Sequence, residues 1–193
     1  MDTNNTLKHD RNAGHLIEQM QNYVKGAKVI KYLEDDLHVV NINENHEVRI
    51  FGTPWTKRFG YSFKAFQKQE TELSHHWQKI PSVIDILISH SPPFGILDEN
   101  CEGTKSGSQC LLETVRDRVK PRIHVFGHFH EGHGHQFEDE ILFVNAASLN
   151  FDFEALNDPI IVEYYLNSLK VEVLISKPKS KKRFLTRSTA VEN

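Results

Sequence analysis

Two short histidine motifs stand out in this 193-residue chain, which holds 12 histidines in all. His90 follows the apolar run Ile86-Leu87-Ile88-Ser89 directly, and Ser91-Pro92-Pro93 then breaks the strand. His128 and His130 follow Ile123-His124-Val125-Phe126-Gly127 in the same way. Side chains two apart on an extended segment point to one side, so His128 and His130 are expected to reach one point. Gly127 leaves room where the backbone must pass a bound group. If the two strands are neighbours, three neutral imidazoles meet, a donor set suited to divalent zinc, manganese or iron. His133 and His135 lie close by in sequence and read equally as an extension of the cluster or as solvated loop histidines.

These residues need elements to position them. In open α/β sheets, ligands bind outside the carboxyl ends of parallel strands, which is where both motifs fall. The run 83–89 is almost continuously apolar and bounded by prolines, as expected of a strand buried on both faces. Helical periodicity is expected over 14–25, 62–79 and 108–120, the last capped by Ser106 or Ser108 and stopped by Pro121. Strands are expected over 29–33, 37–42, 48–51, 123–126, 141–144, 160–165 and 171–175. This order reads as a layered α/β sandwich with an antiparallel-leaning C-terminal part.

Composition narrows the classes. With 38% hydrophobic and 25% charged residues and a net charge of -3, the chain is ordinary globular material with room for one core. No window approaches the roughly 18 consecutive apolar residues of a membrane helix. Cys101 and Cys110 are too few for a disulfide scaffold, which favours free thiols and a cytoplasmic setting. From Lys177 onward, Lys177, Lys179, Lys181, Lys182, Arg183 and Arg187 face one acid, Glu192. That run reads as a solvated tail over 177–193 after a domain over 1–176, rather than as a nucleic-acid-binding arm.

The motifs carry a resemblance. Gly127-His128-Phe129-His130 resembles the last signature of the calcineurin-like metallophosphoesterases, and Ser89-His90-Ser91-Pro92-Pro93 resembles that family's middle histidine motif. Phe51-Gly52-Thr53-Pro54-Trp55-Thr56, His124 to Gly134 and Val144-Asn145-Ala146 are similar to the metallophosphoesterase domain-containing (MPPED) branch. The resemblance implies a sandwich of the metallophosphoesterase type, with two divalent ions (manganese, iron, zinc or magnesium) about 3.5 to 4 Å apart. It implies that His90 and His128 hold one ion and His130 the other. Together the ions activate a bridging water against a phosphodiester such as a cyclic nucleotide. The family's opening signatures, an Asp-x-His and then a Gly-Asp on N-terminal strands, are both read as missing. Leu7-Lys8-His9-Asp10 resembles a remnant of the next motif, Gly-Asn-His-[Asp/Glu], and would make His9 the proton donor to the leaving oxygen. The expectation is therefore a partial domain lacking its first strands, with a non-catalytic binding or interaction role as the alternative. Trp55 and Phe94 are read as packing or as an aryl-binding wall, and Asn145 as a hydrogen-bonding support of the site.

Overall fold

The computed structural model describes residues 30–58 and 65–175. Its centre is a six-stranded sheet in the order β1-β2-β5-β6-β8-β7. The strands are β1 (Asp36–Asn43), β2 (His46–Thr53), β5 (Ile86–Ser89), β6 (Ile123–Phe126), β7 (Gly134–Glu138) and β8 (Ile141–Asn145). β2, β5, β6 and β8 run parallel, and the antiparallel hairpin partners β1 and β7 form the two edges. This is the expected layered α/β arrangement, and it puts the ends of β5 and β6 side by side.

One face of the sheet is covered by helices. α1 (Glu70–Gln78) buries Leu73 and Trp77, spaced four apart so that both face the sheet. Its first turn is closed by the Glu72 carboxylate, which accepts the Gln69 N–H at 3.0 Å. α2 (Gln109–Glu113) widens into a π-helical turn (Thr114–Val119) and stops at Lys120, whose φ of 48 leaves the helical region just before Pro121. Of the two expected caps, Ser108 is the one used: its Oγ accepts the Leu111 N–H at 3.2 Å. The same hydroxyl donates to Glu70 Oε1 at 2.9 Å and accepts Trp77 Nε1–H at 3.3 Å, so one buried serine joins both helices. Phe51, Leu87, Phe126, Phe143, Leu111 and Val115 complete this core with Leu73 and Trp77.

The opposite face is covered by the hairpin β9 (Ile161–Tyr165) and β10 (Lys170–Ile175). Val162, Tyr164, Val171 and Val173 pack on Ile123, Leu142 and Val144. Tyr164 fastens the hairpin by donating to Asp85 Oδ1 at 2.9 Å, while Asp85 Oδ2 accepts the Arg49 N–H at 2.8 Å. Burial, with the Asp85 carboxylate beside it, pushes the Tyr164 phenol up to about 12. The cover is partial, and Ile88 on the central strand β5 stays 42% exposed.

Some expected boundaries move. Residues 30–33 are irregular rather than a strand, and pairing begins only at Asp36, after Asp35 turns the chain with a φ of 49. The helix expected over 62–79 begins at Glu70 among the described residues, because Gln67–Lys68 (β4) instead pairs with Thr56–Lys57 (β3). β7 was not expected: its alternation of half-buried and exposed residues is that of an edge strand, and its one histidine, His135, reads as loop material. The reading that Asp-x-His is missing is corrected: one occurs at Asp36-Leu37-His38, where it opens edge strand β1 opposite Gly52 and Ile50. The helix expected over 14–25 and the basic tail lie outside the described residues.

Trp77 is fully buried and bridges helix and sheet, so Trp77→Ala is expected to cost about 3–5 kcal/mol. Urea unfolding measures this loss, and Trp77→Phe should recover much of it.

Candidate functional site

The site is built where β5 and β6 end. Their parallel register sets Ile88 beside Val125, and the Gly127 N–H then donates to the His90 carbonyl at 3.0 Å. That bond holds the two strand exits together and leaves both imidazoles at the carboxyl edge of the sheet. His90 Nε2 and His128 Nδ1 face each other at 3.1 Å, with ring centroids 4.9 Å apart. Burial holds the His90 imidazole below its ordinary value, which keeps its lone pair available near neutral pH.

His128 reaches this position through an unusual backbone. Its φ is 70, and the Phe129 N–H closes a three-residue turn onto the Gly127 carbonyl at 2.9 Å. A non-glycine residue there is strained and persists only when its surroundings over-determine it. The expectation that His128 and His130 share a side of an extended segment therefore fails. The chain is already turning at His128, and a 3-10 turn starts at His130 (His130–Gly132). His130 is instead oriented by the loop after β8: its Nδ1 donates to the Asn150 carbonyl at 2.8 Å. A backbone acceptor on one ring nitrogen fixes the tautomer and leaves Nε2 as the lone-pair nitrogen, the usual arrangement of a metal-bound histidine. His9 lies outside the described residues.

A buried polar frame supports these loops. Asn145, the last residue of β8, gives its two amide protons to the carbonyls of Leu97 (3.0 Å) and Phe129 (2.8 Å). Its Oδ1 accepts the Ala147 N–H at 3.1 Å. The supporting role expected for Asn145 is thus seen as a clamp on the loop that carries His128 and His130. Asp98 braces the loop after His90, its Oδ2 accepting the N–H groups of Gly95 (2.8 Å) and Gly107 (2.9 Å). His124, fully buried, sits against Ser89: the two side chains meet at 2.9 Å, and the Ser89 hydroxyl passes its own proton to the Ser91 carbonyl at 2.8 Å. The ring therefore donates from Nε2, and its Nδ1 is buried without a partner. Burial lowers its pKa to about 3.

Sequence reasoning missed Asp98 and His124. The second had a signal, since a histidine at an interior position of an apolar strand must be neutral. Within the fold the tight approach is at Gly132: a Cβ there would meet the Leu97 carbonyl oxygen at 2.0 Å and Asn145 Nδ2 at 2.6 Å, whereas at Gly127 no protein atom comes nearer than 3.9 Å. Trp55 is a packing residue, stacked on His76 at 3.8 Å and donating to Asp35 Oδ2 at 2.9 Å. Asp35 also accepts Thr53 Oγ1 and Lys79 Nζ, both at 2.7 Å. Burial alone would raise its carboxyl, but hydrogen bonds from Lys79, Thr53, Trp55 and His76 outweigh this and hold it below the usual range. Both cysteines are free thiols.

The middle and last histidine motifs thus stand on adjacent parallel strands, with two rings in contact. The chain is 40% identical over 124 residues to the UPF0046 protein C25E10.12 of Caenorhabditis elegans, covering 62% of this chain and 43% of that protein. It is 40% identical over 117 residues to metallophosphoesterase domain-containing protein 1 of Homo sapiens and of Mus musculus, covering 60% of this chain and 35% of each. Over the matched stretch, the chain is similar to the metallophosphoesterase domain-containing proteins. It spans less than half the length of these relatives. No protein-family model matches the sequence. Among the described residues, no helix is long and apolar enough to cross a membrane.

Two outcomes follow from this geometry. Gly132→Ala should lower the thermal midpoint sharply, because the new methyl group collides with a backbone carbonyl, whereas Gly127→Ala should leave it nearly unchanged. His124 gives an acid dependence. Its folded pKa lies below the unfolded value, so stability is complete above about pH 6.5 and falls as the pH drops from there toward 3. Between pH 7 and pH 5 this loss is about 2 kcal/mol in urea titrations. His124→Phe should flatten that slope.

Proposed function

We propose that this chain contributes to a divalent-metal-dependent phosphoric ester hydrolase, with His90 and His128 holding one ion and His130 a second. The observation that carries the reading is the 3.1 Å separation of His90 Nε2 from His128 Nδ1. Two imidazole nitrogens each about 2.0–2.1 Å from one ion stand roughly 3 Å apart, so the pair fits a shared cation with little movement. The fit extends to His130, whose Nδ1 is already committed to a carbonyl. When bound, a divalent ion supplies charge that polarises a phosphoryl oxygen and acidifies a coordinated water.

The remaining work belongs to the chain itself. His90, kept neutral by burial, offers its lone pair without first losing a proton. The turn at His128 aims Nδ1 at that lone pair, and the Asn145 clamp keeps the loop from relaxing away. The proposed substrate is a phosphodiester such as a cyclic nucleotide, and His9 is proposed as proton donor to the leaving oxygen.

A second reading, a non-catalytic chain that binds one ion and acts by interaction, has one observation in its favour. Among the described residues, no group of three or more His, Cys, Asp or Glu side chains is gathered as a metal-holding set. Manganese loading and hydrolysis of bis(p-nitrophenyl) phosphate separate the readings. The hydrolase reading predicts metal-dependent turnover lost in His128→Ala and His90→Ala, with metal content falling in both. Metal loading without turnover supports the second reading, and equal metal content in all three proteins rejects the His90–His128 site.

A further inference from the structure

The loop that orients His130 also presents an exposed aromatic ring beside it. Asn150 and Glu154 close that loop on themselves. The Asn150 N–H donates to the Glu154 carbonyl at 2.9 Å, and Asn150 Oδ1 accepts the Glu154 N–H at 2.9 Å. Asn150 Nδ2 donates to Glu154 Oε2 at 3.0 Å. Below this, Asn157 Nδ2 donates to the carbonyls of Ala147 and Leu149, both at 2.8 Å. Phe153 sits inside the closed loop with a φ of 60, its N–H donating to the Asn150 carbonyl at 3.1 Å. That carbonyl also receives His130 Nδ1, so the ring of Phe153 and the ring of His130 are tied to one peptide group. They meet edge to face, with centroids 5.2 Å apart at 83°.

Phe153 is nevertheless 76% exposed, and its neighbour Phe151 is 58% exposed. A phenyl ring left in water gains little from burial, yet here a strained backbone is held to keep it there. Nothing in the described fold uses its open face.

We infer that Phe153 determines specificity, stacking on a planar aryl or nucleobase group esterified to the phosphate that is bound beside His130. This rests on the phosphoester reading above, which places the phosphate at the histidines. A group on the ester oxygen then lies within reach of the ring that edges His130. Base–aromatic stacking is tolerant of base identity and strong enough to discriminate aryl from alkyl esters. The residue acts on binding, whereas the histidines act on the phosphate.

Phenyl phosphate, methyl phosphate and inorganic phosphate, titrated calorimetrically into the full chain with manganese present, test this. The wild type should bind phenyl phosphate about tenfold more tightly than methyl phosphate. Phe153→Trp should keep the preference, and Phe153→Ala should abolish it while methyl phosphate binds as before. Equal affinity for the two esters in the wild type would overturn the stacking role and leave the phosphoester reading standing. So would a preference that survives in Phe153→Ala. Failure of all three probes to bind would overturn both. Self-association lost in Phe153→Ala, without any aryl preference, would assign the ring to a second copy of the chain and overturn the inference.

Discussion

The hydrogen bond from the Gly127 N–H to the His90 carbonyl is the constraint on which the rest depends. It continues the parallel ladder of β5 and β6 one step past the sheet, at the point where both strands must turn away. A strand end is ordinarily free to diverge from its neighbour. Here Ser91-Pro92-Pro93 on one side and the turn at His128 on the other take the chains apart only after the imidazoles have been delivered to one place. The pairing of two rings at 3.1 Å is therefore a product of sheet register.

Everything behind that edge serves to keep it still. Asn145, Asp98 and the Ser89–His124 pair spend buried polar groups on loops rather than on the core. Such groups are costly when unpaired, and each sits directly behind one of the histidine-bearing turns. His124 ties the architecture to near-neutral pH in a different form: protonation would leave its Nε2–H on Ser89 but would put a charge on a buried Nδ1 that has no partner. The apolar core on the helix face, centred on Trp77 and Phe143, holds the strands in register.

Much of this was legible in the residues. The apolar run ending at His90 and the Gly127-His128-Phe129-His130 motif announced two parallel strands with histidines at their ends, and Ser108 announced its helix. What periodicity could not give was the conformation after the strands ended. His128 and His130 read as extended only if strand alternation is carried past Phe126, through a turn where His128 has a φ of 70. The edge strand β7 is hidden in the sequence because Gly134 and His135 have weak strand preference, and only pairing with β8 makes them extended. The framing role of Asn150 was illegible, since it arises from a carbonyl, which every residue carries.

The account stands or falls on two particular ring nitrogens sharing one cation. Nitrogen-15 spectra of the histidine rings, recorded as zinc is added, test this directly. The account predicts that His90 Nε2 and His128 Nδ1 shift together at one equivalent, with the opposite nitrogen of each ring keeping its proton. Zinc that moves neither resonance, or that moves the two at different stoichiometries, would contradict it.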